Sequence, residues 1–593
     1  MCGIQVLIQQ TGNDVAGKKS VIWDRLTSIN RNRGPDSHKE HVVSMAVTSP
    51  GADTCAQSMQ TVVTFGAHVL HLRGPETQSQ PIVGKDTEDV LCWNGEVFGG
   101  IDVGTRNDGV VLFETLQRTK LQNPENYILQ VFGRIEGPYA FVYLDHEQKR
   151  LWFSRDFLGR RSLLTRKVGL HSLIISSVAD GVDAESENSK WTELPAQQIY
   201  CLDLADTLWT TTGELADIQF KQYSWRYASD PERNKLVLPF DRVTTKLADG
   251  SSALSGESIS DLDSFSETLK WQPYIDGLER VLTESIRTRV ESIPFHYRAD
   301  SNEPLPRVGV LFSGGVDCIT IAALLTKILP QNEPIELFNV AFENPRQAKA
   351  HNKAQGPNNS IYDVPDRKTG RQGWLELCEL DPMREWRFAE VDVPYNQVLE
   401  HRAHVRQLLA PSDTVMDMSI GLALWFASKG VGQLVSRDKS NKTDTAYPKQ
   451  AYSGAARVLL LGMGADEQLG GYSRHRVAWD RGSWPELGNE IQMDVQRIAT
   501  RNLGRDDRIV SDNSKEARYP FLAAEVVSFL SQTPLDRKMD LRYPRGIGEK
   551  LLLRLLAHQL GLARACLLAK RAIQFGARTA KMESGQAKGQ DML

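Results

Sequence analysis

The second residue of the chain is a cysteine that could act as a nucleophile. Removal of Met1 would leave Cys2 with both a thiol and a free α-amine. An α-amine has an ordinary pKa of about 7.7 to 8.0, so it can accept the proton of a thiol whose ordinary pKa is about 8.5. One residue would then supply both the nucleophile and the base. The alternative interpretation is a buried strand thiol at the start of the run Gly3 to Ile8.

A glycine-rich turn near the middle of the chain could bind phosphate. It lies between the apolar run Val308 to Phe312 and a predicted helix from Cys318 to Leu329, which Pro330 ends. The turn reads Ser313-Gly314-Gly315-Val316-Asp317. Glycines let the backbone approach a phosphate closely, and a helix N-terminus presents N–H groups without partners inside the helix. The turn does not contain the Gly-Lys-Ser/Thr of a Walker loop, and a purely structural turn is the alternative.

The first ~220 residues, which include Cys2, are predicted to be rich in strands. Their short apolar or alternating runs, separated by Gly, Pro and Asn, are Val62 to Leu72, Leu91 to Trp93, Tyr139 to Leu144, Leu151 to Phe153 and Ser172 to Ser176. Between Asp249 and Glu267, seven serines and few apolar residues predict an inter-domain linker.

The second half of the chain is predicted to be an α/β domain that positions the phosphate-binding turn. The apolar residues at helical spacing that open this half are Ile275, Leu278, Leu282 and Ile286. The predicted strand before the turn, the helix after it and a second strand from Ile335 to Phe342 form a parallel unit. Two polar stretches, Glu343 to Gly373 and Arg437 to Gln450, are predicted to be surface loops.

The composition is that of a folded protein, with 41% hydrophobic and 24% charged residues in 593. A formal net charge of -4 argues against nucleic acid as a partner. The seven cysteines are scattered, with no zinc-site spacing and no disulfide framework. The start of the chain does not read as a signal peptide, and apolar runs are shorter than the ~20 residues of a membrane span. These features predict a cytoplasmic protein that does not enter a membrane.

Five short motifs follow Cys2 in the first half of the chain. They are Arg33-Gly34-Pro35-Asp36, His71-Leu72-Arg73-Gly74, Asn94-Gly95-Glu96, Asn107-Asp108 and Arg155-Asp156-Phe157-Leu158-Gly159. In this order they resemble the class II glutamine amidotransferases, which hydrolyse glutamine to glutamate and ammonia. The resemblance implies an N-terminal-nucleophile domain, an antiparallel β-sandwich flanked by helices.

The same resemblance implies roles for individual residues. Cys2 would be the catalytic nucleophile, and the Asn94 side chain and the Gly95 N–H would donate to the oxyanion. Arg73 would bind the carboxylate of glutamine and Asp108 its ammonium group. The implied glutamine-binding residues are Arg73, Asn94, Gly95, Glu96 and Asp108. Where family members commonly have an extended apolar stretch after the arginine, this chain has Gly74-Pro75-Glu76-Thr77, which predicts a rearranged pocket wall.

Later motifs resemble the synthetase domain of glutamine-dependent asparagine synthetases. They are Gly462-Met463-Gly464-Ala465-Asp466-Glu467-Gln468-Leu469-Gly470-Gly471-Tyr472, Arg505-Asp506-Asp507-Arg508 and Glu516-Ala517-Arg518-Tyr519-Pro520-Phe521-Leu522. With the first half, the resemblance spans nearly the whole chain. It implies a parallel-sheet α/β domain of the adenine-nucleotide α-hydrolase-like type, whose pyrophosphatase loop supports cleavage of ATP between the α and β phosphates.

The resemblance implies ATP and Mg²⁺ as cofactors. Asp317 and Asp466 would serve the Mg²⁺, which prefers hard oxygen ligands beside phosphates. Lys570 matches the family lysine that steadies the leaving pyrophosphate. The implied ATP-binding residues are Leu311, Ser313, Gly314, Gly315, Asp317, Cys318, Val340, Leu461, Gly462 and Lys570.

Three positions depart from ordinary asparagine synthetases. Leu461 and Met463 stand where the family usually has Ser and Glu, and Cys318 replaces a serine. The family glutamate is tied to forming or using the acyl adenylate, and a methionine can neither order the acyl acceptor nor take a proton from ammonia. These departures, together with the polar insert Glu343 to Gly373, resemble the divergent branch of asparagine synthetase domain-containing proteins.

The function implied is amide synthesis from glutamine, ATP and aspartate, through an acyl-AMP intermediate. The predicted domains are an amidotransferase domain over 2–225, a linker over 226–272 and a pyrophosphatase-loop domain over 273–593. One alternative is a degenerate homologue with only a glutaminase or regulatory role, which Met463 favours; another is amidation of a different carboxylate. An enzyme acting on RNA is suggested only by residues 537–578, with ten Lys or Arg against two Asp or Glu. A β-lactam-forming cyclase would have no use for Cys2.

Overall fold

The computed structural model divides the chain into two compact units. The first comprises Met1–Leu238, Arg406–Asp413 and Ala499–Lys515; the second comprises Pro239–Val405, Thr414–Ile498 and Glu516–Leu593. The structure describes residues 2–11, 21–47, 59–168, 172–181, 190–205, 220–231, 235–248, 262, 268–295, 297, 303–344, 360–437 and 448–581. Except for Leu262, the predicted linker Asp249 to Glu267 lies outside these residues, and the predicted domain bounds stay a prediction.

The first unit contains two sheets. The strands of the first sheet are, in spatial order, β10 (Thr192–Glu193), β8 (Leu164–Lys167), β9 (Ser172–Ser176), β1 (Cys2–Thr11), β3 (Met59–Val69) and β2 (Ser37–Val47). Those of the second are β13 (Leu236–Val237), β12 (Lys221–Arg226), β11 (Gln198–Asp203), β7 (Arg150–Arg155), β6 (Tyr139–Asp145), β5 (Val90–Gly95) and β4 (Ile82–Val83). Every pair is antiparallel except β12 with β13.

Apolar residues from both sheets form one shared core. Ile4, Val6 and Ile8 of β1 point to the same face because side chains alternate along a strand. They belong to the same cluster as Val142 of β6 and Phe153 of β7, from the other sheet. The predicted antiparallel β-sandwich is therefore confirmed, and so are the five predicted strands, with bounds shifted by a few residues.

Helices flank this sandwich. Those of the first unit are α1 (Val21–Arg33), α2 (Asp108–Gln122), α3 (Tyr127–Phe132) and α11 (Gly504–Ser511), the last preceded by a π-helical turn over Ala499–Leu503. Helix α1 contacts β1 and β3, and α2 contacts β4 and β5. Helix α11 comes from late in the sequence, and its residues Asp507 and Ser511 bond to Arg33 at the end of α1.

The second unit is built on one sheet with a parallel centre. Its strands in spatial order are β18 (Lys449–Ser453), β17 (Val431–Val435), β16 (Trp386–Val393), β15 (Ile335–Phe342), β14 (Val308–Leu311), β19 (Val458–Leu460) and β20 (Glu516–Arg518). The strands from β16 to β20 in that order are parallel, and β17 and β18 are antiparallel additions. The predicted parallel α/β fold is confirmed. The strand order reverses at β14: β15 and β16 follow it on one side, and β19 and β20 lie on the other. Parallel α/β sheets bind ligands at the carboxyl ends of the strands beside such a point.

The second unit also contains helices, several of which contact its sheet. They are α4 (Thr268–Val290), α5 (Val316–Leu325), α6 (Pro365–Leu380), α7 (Tyr395–Leu409), α8 (Val415–Lys429), α9 (Ala465–Gln468), α10 (Ser473–Ile498), α12 (Ala524–Gln532), α13 (Leu551–Gln559) and α14 (Ile573–Gly576). Among the residues that the structure describes, no helix is long and apolar enough to span a bilayer.

The predicted surface loop Glu343 to Gly373 is wrong at its end. Residues 345–359 lie outside the described part, but Pro365 begins helix α6. Its first turns bury Arg367, which bonds to Asp392 and Asn339, and Gly370, where a Cβ would lie 2.3 Å from Asn339. The buried face is thus polar and small, so an apolar period could not reveal it.

Two other predicted boundaries also differ. The second predicted loop ends in strand β18, which already includes Lys449 and Gln450. The helix after the turn begins at Val316, two residues earlier than predicted, and ends at Leu325 rather than Leu329. The residues after Leu325 continue as turns.

Candidate active sites

Cys2 is held at the start of β1 by a residue from the opposite sheet. Its side chain is buried, and its backbone nitrogen donates to Asn94 Oδ1 at 2.9 Å. Asn94 lies near the end of β5, where the strand pairs with β6. The nitrogen that would become the α-amine after removal of Met1 is therefore fixed next to the Asn94 amide.

The nitrogen of the Asn94 side-chain amide is available as a hydrogen-bond donor. Asn94 Nδ2 is buried and makes no hydrogen bond to any residue that the structure describes. Buried donors are nearly always paired in folded proteins, so such an atom points to a ligand or a catalytic role. A donor beside the nucleophile suits the oxyanion of a tetrahedral intermediate. The adjacent predicted donor, Gly95, ends strand β5.

Arg73 and Asp108 meet at the backbone of Val97. Arg73 donates to Val97 O at 2.6 Å, and Asp108 accepts from Val97 N at 3.0 Å. Glu96, the next predicted glutamine ligand, lies 3.8 Å from Arg73. Asp108 opens α2 and is buried, and this burial raises the pKa of its carboxyl. The structure thus brings together all the predicted glutamine-binding residues with opposite charges side by side, as a free amino acid requires.

Two further groups contact Cys2, and no sequence feature assigned either a role. Gln80, which precedes Pro81, donates from Nε2 to Cys2 Sγ at 3.7 Å and accepts from Trp93 N at 2.7 Å. Arg33, which belongs to the first motif, is fully buried, and its Nε donates to Cys2 O at 3.5 Å.

Helix α11 anchors Arg33. Asp507 accepts from Arg33 Nη2 at 2.8 Å and from Ser162 N at 3.1 Å, and Ser511 accepts from Arg33 Nη1 at 2.6 Å. Asp507 itself is fully buried. Asp507, which lies 474 residues after Arg33 in the sequence, thus holds the guanidinium of Arg33 beside Cys2.

A cavity opens at the carboxyl ends of β14, β15 and β19 in the second unit. It measures about 830 Å³ including its mouth. The predicted nucleotide residues that line it are Leu311, Ser313, Gly315, Asp317, Cys318, Val340, Leu461, Gly462 and Lys570. Gly314 shapes the turn instead: its φ is +78°, and a Cβ there would lie 2.1 Å from Thr369 O of α6. The structure therefore brings the predicted nucleotide site together.

The walls of this cavity differ in chemistry. Its apolar lining residues, suited to a base, include Phe338, Val340, Leu424, Leu461 and Ile573. Met463 also lines the cavity. Burial raises the pKa of the Cys318 thiol, whose Sγ donates to Gly315 O at 3.2 Å within the turn.

A second cavity continues from the first on its charged side. The six lining residues that both cavities share are Ser313, Gly315, Asp317, Asp366, Lys570 and Arg571. Its four cationic lining residues, against the two acidic residues Asp317 and Asp366, are Lys550, Arg554, Lys570 and Arg571. This excess of positive charge suits an anion such as pyrophosphate.

Lys550 links the two predicted metal ligands, and no sequence feature marked it. Its side chain is 1% exposed, and Nζ lies 2.6 Å from Asp317 and 2.7 Å from Asp466. Lys570 also pairs with Asp466. Although burial opposes it, the two ammonium groups hold the pKa of the Asp466 carboxyl well below its usual range. Gly471 permits this contact, since a Cβ there would lie 1.9 Å from Asp466 Oδ1.

These carboxylates fit a magnesium ion that arrives with a nucleotide. Asp317 and Asp466 face one point, because both lie within 2.8 Å of the same ammonium group. Within the described ranges, no group of three His, Cys, Asp or Glu residues could hold a metal by itself. Mg²⁺ commonly binds through one or two carboxylates plus substrate phosphates and water, which this donor set allows.

One acidic residue of the cavity was also not predicted. Asp366, in the first turn of α6, lies 3.9 Å from Arg571 and lines both cavities. Burial raises the pKa of its carboxyl to about 7, against the opposing effect of Arg571 and Lys570. Asp366 lies inside the stretch predicted as a loop, so its place in the site depended on helix α6.

Comparison with known protein families matches both halves of the chain. A family described as "Glutamine amidotransferase domain" matches residues 68–183, and one described as "Asparagine synthase" matches residues 435–588.

Relatives similar to this chain extend over its whole length. Asparagine synthetase domain-containing protein 1 of Mus musculus is 36% identical, over 95% of this chain and 94% of that protein. An asparagine synthetase domain-containing protein of Drosophila melanogaster is 32% identical over 100% of both. The glutamine-hydrolysing asparagine synthetase of Gallus gallus is 23% identical, over 88% of this chain and 76% of that protein. The chain therefore belongs to the family of asparagine synthetase domain-containing proteins.

Proposed function

We propose that the chain is a glutamine-dependent and ATP-dependent amide synthetase. The observation that carries the proposal is the arrangement at Cys2, whose nitrogen bonds to Asn94 Oδ1 while Asn94 Nδ2 has no partner among the described residues. The cationic cavity of the second unit supports the ATP-dependent half. The family matches to amidotransferase and synthase models agree with both halves.

In the first unit, glutamine is bound by its charges and attacked at its side chain. Arg73 binds the α-carboxylate and Asp108 the α-ammonium group, with Glu96 beside Arg73. The α-amine of Cys2 takes the thiol proton, and Sγ forms a bond to the γ-carbonyl carbon. Asn94 Nδ2 and Gly95 N–H donate to the resulting oxyanion. Ammonia leaves with the transferred proton, and water hydrolyses the thioester to glutamate.

In the second unit, ATP activates a carboxylate. The apolar wall takes the adenine, and the Ser313 to Asp317 turn approaches the phosphates. A magnesium ion held by Asp317 and Asp466 would neutralise phosphate charge. The substrate carboxylate attacks the α-phosphorus, the bond to the β-phosphate oxygen breaks, and Lys550 and Lys570 stabilise the departing pyrophosphate. Ammonia then attacks the acyl carbon, and AMP leaves.

The substrate carboxylate is aspartate in this proposal, with asparagine as its product. Met463 favours a second candidate, because this cavity-lining residue stands where ordinary asparagine synthetases have a glutamate. In that candidate the chain retains glutaminase activity or a regulatory role, or amidates a different acid. A thiol nucleophile needs a reducing compartment, which supports a cytoplasmic location.

The test measures pyrophosphate, glutamate and asparagine from ATP, Mg²⁺ and aspartate, with either glutamine or ammonium as the nitrogen source. We expect glutamate from glutamine in the wild type and none in Cys2→Ala, since that substitution removes the proposed nucleophile. Any ammonium-driven activity should survive that substitution, because it does not use the first site. Mass spectrometry of the N-terminal peptide must show that Met1 is absent.

Each outcome separates the two halves of the proposal. Glutamate release at the wild-type rate in Cys2→Ala would refute the glutaminase assignment. Pyrophosphate release that ignores aspartate but responds to another acid would replace the substrate and keep the reaction type. Glutaminase activity without any pyrophosphate would favour the second candidate.

A further inference from the structure

Gln80 joins the nucleophile to the strand that carries Asn94. Its side chain is buried, with Nε2 at 3.7 Å from Cys2 Sγ and Oε1 at 2.7 Å from Trp93 N. A backbone N–H can only donate, so the amide oxygen of Gln80 must face Trp93. The amide nitrogen must therefore face the sulfur. The orientation of the Gln80 amide is decided by its partners.

Both reactive atoms of Cys2 are held through β5. Asn94 Oδ1 binds the Cys2 nitrogen, and Gln80, fixed on the neighbouring residue Trp93, donates to the sulfur. Nitrogen and sulfur are the atoms that must exchange a proton before attack. Their relative position thus depends on two adjacent residues of one strand and on one amide.

We propose that Gln80 is a further catalytic residue of the glutaminase reaction, in which its Nε2–H donates to the Cys2 thiolate and aims it at the substrate carbonyl. This inference rests on the proposed glutaminase function. A hydrogen bond to the ionised form of a group favours that form, so the donor increases the thiolate population. Gln80 keeps its own protons: the thiol proton passes to the α-amine and leaves with ammonia, while the sulfur electron pair forms the bond to carbon.

The two hydrogen bonds of Gln80 can be separated by substitution. Its acceptor atom serves the backbone, and its donor atom serves the sulfur. Gln80→Glu keeps the shape and the acceptor but removes the donor, and Gln80→Met removes both. Gln78→Met is the matched control, since Gln78 is the same residue type two positions earlier and its side chain bonds to Ser79 O instead.

The experiment uses the full chain without Met1. The rate of Cys2 alkylation by iodoacetamide is followed by mass spectrometry across a range of pH, and glutaminase kcat and KM are measured alongside. We expect Gln80→Met to alkylate about tenfold more slowly near neutral pH, with its pH profile moved upward, and kcat to fall about tenfold. KM should change less than about twofold, because Gln80 does not bind the substrate charges. The alkylation rate and kcat should fall further in Gln80→Glu than in Gln80→Met, and both should be unchanged in Gln78→Met.

Several results would overturn the inference. Wild-type alkylation and kcat in folded Gln80→Met would do so, and so would a rise in KM alone, which would make Gln80 a pocket wall. If Gln80→Met does not fold, Gln80→Glu decides, and its alkylation at the wild-type rate would exclude the donor. If the wild type alkylates but hydrolyses no glutamine, the proposed function fails, while the alkylation rates still decide whether Gln80 activates the sulfur.

Discussion

Replacing Lys550 by methionine removes the ammonium group between the two predicted metal ligands. Methionine keeps the length of the side chain and is not β-branched, which matters because Lys550 has a φ of +56°. Asp317 would lose its bonds at 2.6 and 2.8 Å, and Asp466 would retain only Lys570 of its two lysines. The substitution therefore leaves two like charges facing each other.

Breaking a buried ion pair from one side costs about 3–5 kcal/mol. Lys570 still compensates Asp466, and the Asp317 side chain is 20% exposed, so water screens part of the loss. We expect a cost of about 2–3 kcal/mol in the second unit. Since each ~1.4 kcal/mol is tenfold, local amide exchange should accelerate roughly 30- to 140-fold.

The assay is hydrogen exchange, read by mass spectrometry on peptides that cover α13, which Lys550 precedes. Lys327→Met is the control, because the Lys327 side chain is 46% exposed and its pair with Glu279 should contribute less than about 1 kcal/mol. Added Mg²⁺ with a non-hydrolysable ATP analogue should protect α13 in Lys550→Met more than in the wild type, because the cation can replace the lost charge. Unchanged exchange in Lys550→Met, or an equal effect of Lys327→Met, would refute this account.

Three other substitutions test single groups. Burial raises the pKa of Asp366 to about 7 from 3.8, so its contribution to stability is present below the lower value and is lost as pH rises through the higher one. Asp366→Asn should flatten the fall of the urea midpoint between about pH 4 and about pH 7, and an unaltered slope would contradict the assignment. Asp507→Asn removes the carboxylate from buried Arg33 and should cost the first unit about 3 kcal/mol, measured by urea unfolding. Glu114→Gln, whose ion pair with Arg106 joins two side chains that are more than half exposed, should cost less. Met463→Glu restores a carboxylate in the cavity and should increase asparagine formation, measured by chromatography; no gain would mean that more than this group is missing.

The contiguous parts of both sites could be predicted from the sequence. The turn at Ser313 to Asp317 is bracketed by a strand and a helix, so its residues are close in space because they are close in the chain. The residues Asn94 and Gly95 end a strand whose apolar pattern is plain. Local spacing also predicted a strand-rich first part and a parallel α/β unit in the second half, since alternation and helical periods reflect which face is buried. The antiparallel β-sandwich was implied by the family resemblance.

The remaining site residues could not be predicted, because their roles depend on distant partners. Gln80 is one polar residue among several until β1 brings Cys2 beside it. Lys550 is one of ten basic residues in the stretch 537–578, and such a charged stretch usually indicates a solvent-exposed helix face. Only the tertiary structure shows that Lys550 is buried. The sequence predicts a loop for the first half of helix α6 because the residues buried there are Asp366, Arg367 and two glycines, and an ion pair leaves no periodic apolar signal.

By itself, then, the amino-acid sequence determined which chemical groups the chain contains: the thiol of Cys2, the Asn94-Gly95 pair at the end of a strand, and the phosphate-binding turn at Ser313 to Asp317. Tertiary structure alone decided which charges neutralise each other, as in the contact of Lys550 with Asp317 and Asp466 and of Arg33 with Asp507. The physical reason is that a motif is a local pattern of backbone and residue type, whereas an ion pair or a hydrogen bond forms only where folding places two distant side chains within about 3 Å of each other.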